Sequence, residues 1–237
     1  NEIFTRQSIE LSQYVQKKGA VAAVLVLPMA LQPEEGRPLA DTIFAYYEAV
    51  AREVDLPIIL YQQPGLLEEY CMTPPLLERL LTIKNIAGMK YSTGDMVKFS
   101  ELTMVARNTD FAFIAGDELA FFFAMMLGAS GVIGQGCDVN PETLRAVYDR
   151  MMARDFAGAL EAHYDCIRAG QISEGYDCVI SGFRYVAAKG VRVQPFTRGH
   201  GVSDYQVQQP VVPDDWMASF SWEMDAFVES TPRLTLG

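Results

Sequence analysis

Apolar residues along this chain gather in short runs, each cut off by proline, glycine or a polar cluster. Ala20-Val21-Ala22-Ala23-Val24-Leu25-Val26-Leu27 runs into Pro28 without a polar residue, the pattern of a strand buried on both faces of a parallel sheet. Four more runs follow: Leu56 to Tyr61 before Gln62-Gln63-Pro64-Gly65, Ile86 to Lys90, Phe111 to Ala115, and Gly131 to Gln135. Between them the polar pattern changes to helical spacing. Helices are predicted over 5–15, with Thr5 as candidate N-cap, apolar positions at 9, 11, 14 and 15 and Gly19 as stop, and then over 39–54, 74–82, 96–107 and 117–127. Strands alternating with helices at this interval imply right-handed βαβ crossovers and a parallel sheet of five strands.

Beyond Pro141 two more helices are predicted, over 142–152 and 155–169, with Gly158 inside the second. From about 170 the rhythm stops. Gly- and Pro-punctuated sequence carrying Phe183, Tyr185, Trp216, Phe220, Trp222 and Phe227 predicts short helices and loops, packed on the sheet or on a partner subunit. The expected division is a β/α portion over 1–155 and a helical region over 156–237.

Composition narrows the function classes. Half of the 237 residues are hydrophobic (50%) and 21% are charged, enough apolar surface for a sizeable core. Lys+Arg 19 against Asp+Glu 30 gives a net charge of −11, opposite to what a phosphate backbone attracts, so nucleic acid is not an expected partner. Cys71, Cys137, Cys166 and Cys178 show no CxxC spacing, and neither His163 nor His200 clusters with them. No zinc site or disulfide framework is expected, and free thiols in a reducing cytoplasm are the default. Cys137 alone lies near a strand end, with no histidine placed to activate it. No apolar run reaches the roughly 18 to 20 residues of a membrane span, and the opening Asn1-Glu2-Ile3-Phe4-Thr5 has no signal-peptide pattern.

In parallel α/β sheets ligands bind at the carboxyl ends of the strands, so those ends are where chemistry is sought. They read Pro28-Met29-Ala30, Tyr61-Gln62-Gln63, Lys90-Tyr91-Ser92-Thr93-Gly94-Asp95, Gly116-Asp117-Glu118 and Gly134-Gln135-Gly136. Lys90 stands out. Of six lysines, Lys17, Lys18, Lys84, Lys98 and Lys189 fall on helices, helix ends or loops, whereas Lys90 ends a buried apolar strand. Desolvation there lowers an ammonium's pKa and makes a neutral, Schiff-base-forming amine accessible. The alternative is a lysine whose stem packs along the rim and whose charge pairs with Asp95 or Asp117; position alone leaves both open. Tyr61 ends the neighbouring strand, where a phenol can pass protons or simply meet solvent. No Walker-type or GxGxxG loop is present, so no nucleotide is indicated.

Together these residues resemble the dihydrodipicolinate synthase / N-acetylneuraminate lyase family of Schiff-base-forming class I aldolases. The matching motifs are Gly19-Ala20 through Pro28, Leu56-Pro57 through Tyr61 to Pro64-Gly65, and Ile86-Ala87-Gly88-Met89-Lys90-Tyr91-Ser92-Thr93-Gly94-Asp95. Gly116-Asp117 and Leu127-Gly128-Ala129-Ser130-Gly131-Val132-Ile133 complete the series, in order over about residues 5–170. The resemblance implies a (β/α)8 TIM barrel, here without its first three strands and with a C-terminal helical segment. It implies an imine between Lys90 and a 2-oxo acid, usually pyruvate, with Tyr61 relaying protons and Gly116 and Ile133 lining the imine pocket. It also implies a homodimer or homotetramer that needs neither cofactor nor metal.

Departures from the family pattern narrow the reaction. Met29-Ala30 stands where synthases carry Tyr-Tyr, and Leu66 where they carry an Arg for the second substrate's carboxylate; both point away from dihydrodipicolinate synthesis. Asp117-Glu118, with Leu66 and the polar Ser92 and Gln135, is more similar to the sugar-acid lyase branch, where such groups contact substrate hydroxyls. Tyr91, Gln62-Gln63 and Gly136-Cys137-Asp138 match neither branch. The expected activity is a 2-oxo-acid aldolase or lyase; the alternatives are a dehydratase of 2-keto-3-deoxy sugar acids and a catalytically impaired barrel relative that binds. Five strands cannot close a barrel, so the family match places three strands and a carboxylate-gripping Gly-Thr-Thr/Ser-Gly-Glu loop before this sequence, and 1–237 alone is expected to expose a sheet edge and aggregate.

Overall fold

The computed structural model describes residues 4–28, 30–33, 35–134, 136–139, 141–174, 197–198, 207–208 and 214–230. They form two compact units, Asn1–Ile133 and Gly134–Gly237. Among the described residues no helix is long and apolar enough to cross a membrane.

In the first unit, α1 (Thr5–Lys17) leads into β1 (Ala23–Leu25), α2 (Leu39–Glu53), β2 (Ile58–Gln62), α3 (Pro74–Leu80) and β3 (Ile86–Tyr91). After these come α4 (Met96–Ala106), β4 (Ala112–Ala115), α5 (Phe121–Met126) and β5 (Gly131–Val132). The five strands are all parallel, in the order β1-β2-β3-β4-β5. Each crossover therefore lands on the next strand without reversing direction, which keeps every helix on one side of the sheet.

Burial follows from that winding. Leu25, Leu60, Met89 and Phe113 share one row across the sheet, and all four are buried. Against this face α2 lays Ile43, Tyr46, Tyr47, Val50 and Ala51, a stripe at helical spacing. Leu76, Leu77 and Leu80 of α3 and Phe99, Leu102 and Ala106 of α4 are buried as well. The other face is different: Val24 is 54% exposed, and Ile59, Tyr61, Lys90, Ala112 and Ile114 are half-buried.

Local chemistry sets the element ends. Thr73 Oγ1 accepts the Leu76 N–H at 3.4 Å with Pro74 at the first helical position, and Asp95 Oδ1 accepts the Val97 and Lys98 N–H groups, both at 3.0 Å. Gly19, at φ +87°, turns the chain out of α1. At the amino end of β3, the Asn85 side-chain amide donates to the carbonyls of Ala51, Val54 and Leu56 at 3.0–3.3 Å, tying α2 to β2.

Four expectations need correction. β1 spans only Ala23–Leu25 and buries one face alone, Ala23 and Leu25 being buried and Val24 between them exposed. α1 turns Ser8 and Ser12 inward, the Ser12 hydroxyl donating to the Ser8 carbonyl at 2.7 Å and the Tyr46 hydroxyl donating to Ser8 Oγ at 3.1 Å, while Leu11 (48%) and Tyr14 (57%) face out. Thr5 is the first helical residue and not the cap; the residue before it, Phe4, donates its N–H to Gln7 Oε1 at 3.1 Å. α5 starts at Phe121 because Asp117 Oδ1 takes the Leu119 N–H at 2.9 Å, a local turn that competes with the helix.

The second unit contains α6 (Pro141–Met152), α7 (Phe156–Glu174), the short antiparallel pair β6 (Thr197–Arg198) and β7 (Val207–Gln208), and α8 (Asp214–Ser230). Asp155 Oδ1 accepts the Gly158 N–H at 3.0 Å, so the glycine falls in the capped first turn of α7. α7 runs past residue 169, and α8 is a long helix where short ones were expected. Phe220, Met224 and Phe227 of α8 are buried with Val139, Ala169 and Ile172 packed against them, whereas Trp222 is exposed. Phe183, Tyr185, Lys189, Cys178 and His200 lie outside the described residues, as does the side chain of Trp216.

Candidate active site

Register in the parallel sheet decides which predicted residues meet. Tyr61 of β2 pairs with Lys90 of β3, which pairs with Ile114 of β4, which pairs with Gly131 of β5. This row runs across the half-buried face at the carboxyl end. Lys90 Nζ lies over the Tyr61 ring, 4.3 Å from its centroid, where a ring face attracts an ammonium. The amine and the phenol are thus neighbours on one surface.

Two residues further along the strands, on the same face, stand Ser92, Gly116 and Ile133. Backbone bonds extend the ladder to hold them: Ser92 N–H to the Gln62 carbonyl (3.1 Å), Gly116 N–H to the Tyr91 carbonyl (2.9 Å) and Ile133 N–H to the Ala115 carbonyl (2.9 Å). Ile133 is 48% exposed. Five of the sequence-chosen residues of the first unit therefore form two tiers, Tyr61 and Lys90 below, Ser92, Gly116 and Ile133 above.

The carboxylates are otherwise engaged. Asp95 caps α4 and Asp117 holds the turn at Leu119; among the described residues Lys90 makes no ion pair. The rim-pairing alternative for Lys90 thus loses both of its proposed partners. Glu118 is half-buried in the Asp117 turn, its carbonyl accepting the Phe121 N–H at 3.2 Å. Gln135 lies outside the described residues, as does Met29.

Tyr91 belongs to the opposite face. Its ring stacks on Phe99 at 5.9 Å and 8°, and burial pushes its phenol above the usual range while a hydrogen bond with Thr93 pulls it back. It is a packing residue, which accounts for its matching no substrate motif. Leu66 borders a small cavity of about 20 Å³ with Tyr47, Tyr61, Gln62 and Met72. Burial, with Tyr46 close by, drives the Tyr47 phenol well above its ordinary value.

Sequence reasoning passed over Gln62. Its side-chain Oε1 accepts the Met72 N–H at 2.6 Å while its carbonyl accepts the Ser92 N–H, so one residue fastens the loop after β2 to both strand ends. The same loop is tethered by the Tyr70 hydroxyl to the Leu31 carbonyl (3.1 Å) and by an ion pair between Glu68 and Lys98 (2.7 Å) that pushes the Lys98 ammonium up. Only the position of Gln62 beside Tyr61 could have signalled it. Cys71 and Cys137 are half-buried and Cys166 is buried; burial first and Glu68 second raise the Cys71 thiol. Among the described residues no cluster of His, Cys, Asp and Glu is placed to hold a metal ion.

A model of the dihydrodipicolinate synthetase family matches residues 3–194. The 4-hydroxy-tetrahydrodipicolinate synthase of Archaeoglobus fulgidus is 34% identical over 160 residues, 68% of this chain and 53% of that protein, and that of Nitrosospira multiformis is 33% identical over 164 residues, 69% and 52%. The chain spans about half the length of these curated relatives. Among solved structures, the chloride-inhibited dihydrodipicolinate synthase of Acinetobacter baumannii with pyruvate superposes with TM-score 0.77 at 25% identity, covering 96% of this chain and 73% of that one. N-acetylneuraminate lyase of Fusobacterium nucleatum gives 0.79 at 19% identity, covering 95% and 72%. The fold is accordingly that of a TIM barrel, of which β1 to β5 form a sector.

Proposed function

The chain belongs to the dihydrodipicolinate synthetase family, and from that premise we propose that it acts as a Schiff-base-forming aldolase or lyase on a 2-oxo acid of the pyruvate type. The observation that carries this is the Lys90 amine 4.3 Å from the centroid of the Tyr61 ring, at adjacent strand ends on the half-buried face. The neutral Lys90 amine adds to the C2 carbonyl of the oxo acid to give a carbinolamine. Tyr61 passes a proton to the departing oxygen, water leaves, and an imine forms. The protonated imine then withdraws electrons from C3. Loss of a C3 proton, or cleavage of the C3–C4 bond with release of an aldehyde, yields the enamine; the reverse addition makes the bond. Hydrolysis of the imine returns Lys90.

Ser92, one tier along from this pair, and the Asp117-Glu118 turn after β4 support the reading of a substrate bearing hydroxyls; Leu66, apolar where a carboxylate-binding arginine is needed, supports the lyase direction over dihydrodipicolinate synthesis. Assembly as a homodimer or homotetramer finds support in the exposed Val97 and Met104 of α4 and Phe123 and Met126 of α5.

Borohydride reduction in the presence of pyruvate tests the central step. A stable adduct on Lys90 by peptide mass spectrometry is expected, with no adduct and no turnover in Lys90→Ala. An adduct elsewhere, or none, sinks the reading. Products from a panel of 2-keto-3-deoxy sugar acids separate the two chemistries that share this imine: an aldehyde marks a lyase, loss of water without cleavage a dehydratase. Trapping without turnover on any acid marks a binding relative.

A further inference from the structure

We propose, resting on that reading of the site, that Gln62 is a positioning residue for Tyr61: by latching the loop after β2 to the strand end, its side chain holds the Tyr61 ring beneath the Lys90 amine.

The two reacting groups stand on strand ends that are not equally held. Lys90 is paired on both sides, with Tyr61 of β2 and with Ile114 of β4. Among the described residues Tyr61 is paired on one side alone, with Lys90, because the register of β1 with β2 ends at Leu25 and Leu60. Tyr61 and Gln62, the last two residues of β2, therefore overhang β1, and a strand end held from one side is prone to fray. Both residues also border the cavity of about 20 Å³, so close packing does not replace that neighbour.

Gln62 supplies a second hold. Its carbonyl accepts the Ser92 N–H at 3.1 Å on the β3 side, and its side-chain Oε1 accepts the Met72 N–H at 2.6 Å, where the loop returns toward α3. Met72 directly precedes Thr73, the cap of α3, so the latch ties the end of β2 to a helix start that is itself fixed. The loop's other anchors do not reach β2. The Tyr70 hydroxyl donates to the Leu31 carbonyl at 3.1 Å, and the pair of Lys98 and Glu68, 45% and 81% exposed, is weakened by water. Proton transfer tolerates little displacement: an error of about 1 Å in the placement of a reacting group costs on the order of 10²-fold in rate.

The test uses the full chain and reads two quantities, hydrogen exchange at the Met72 amide and the rate at which borohydride-trappable imine forms with pyruvate. Gln62→Met keeps the length of the side chain and loses its oxygen; Gln62→Glu keeps an oxygen acceptor at the same reach. In Gln62→Met the Met72 amide is expected to exchange about tenfold faster or more, and imine formation at saturating pyruvate to slow by about 10- to 100-fold, whereas Gln62→Glu keeps the parent's values. Against a Tyr61→Phe background, Gln62→Met is expected to slow the imine no further, because a residue that acts through the phenol has nothing left to position. An unchanged rate in Gln62→Met, equal slowing in both backgrounds, or a Gln62→Glu protein as slow as Gln62→Met overturns the proposal and leaves the imine reading standing. A parent protein that forms no imine on Lys90 overturns both. Should Gln62→Met fail to fold, Gln62→Asn, whose amide falls one methylene short of the Met72 N–H, takes its place with the same expected and overturning results.

Discussion

The two faces of the five-stranded sheet are built from alternate residues of the same strands, yet they are unlike in chemistry. The helix-covered face presents Leu25, Leu60, Met89 and Phe113, all buried and all apolar. The opposite face, displaced by one residue, presents Val24, Ile59, Tyr61, Lys90 and Ile114, half-buried or exposed, with an amine and a phenol in contact. One face is committed to cohesion and the other is left free to react. Period-two alternation lets a single short segment such as Met89-Lys90-Tyr91 serve both, since its neighbours in sequence never share an environment.

This division is open to breakage by substitution. Tyr61→Phe keeps the ring beneath the Lys90 amine and removes only the proton-passing hydroxyl; turnover is expected to drop by about 10²- to 10⁴-fold while the melting temperature stays near that of the parent. A stability loss comparable to that of a core truncation would show that the reactive face is structural after all. Leu60→Ala, one residue away on the covered face, is expected to cost about 2–5 kcal/mol by urea titration. Ile59→Ala is expected to cost clearly less; equal costs would mean that the half-buried face is packed as tightly as the other.

A subtler contrast concerns phenols. Burial holds the Tyr47 phenol above its ordinary range in the folded state, so the neutral form is favoured by folding. Its contribution is fully present below the unfolded value of about 10 and is lost as pH climbs above it. Alkaline unfolding monitored by circular dichroism should therefore soften in Tyr47→Phe, with little change at neutral pH. An unchanged alkaline midpoint would place the sensitivity elsewhere, with Tyr91 as the next group to test.

Much of this was legible in the sequence, and the failures are instructive. β2 and β3 could be read because Pro64-Gly65 and Gly94 stop their apolar runs, and Lys90 and Tyr61 could be chosen because a polar residue ending such a run is conspicuous. β1 was overextended because in Ala20 to Leu27 every residue is apolar, so nothing in the run tells a buried position from the exposed Val24. The helical reading of 117–127 began too early because a capping carboxylate at Asp117 looks like any other acidic residue in a first turn. Inward-facing Ser8 and Ser12 were missed because small hydroxyls satisfied within the helix bury as easily as apolar residues. The bond from the Met72 N–H to Gln62 could not be read, since it depends on where the loop after β2 returns and on a distance no spacing encodes.

Strand order carries a consequence for how the molecule comes together. Because β1 to β5 lie side by side in chain order, every strand pairing joins segments separated only by one crossover helix, which keeps contact order low for a parallel sheet. Tyr61 and Lys90 in particular sit on the two arms of a single βαβ closure, β2-α3-β3. We expect this pair to meet early in folding, as one short-range event with a modest loop-closure entropy, and pulse-labelled hydrogen exchange should then show the β2 and β3 amides gaining protection together, ahead of β5. Protection of β5 first would contradict it.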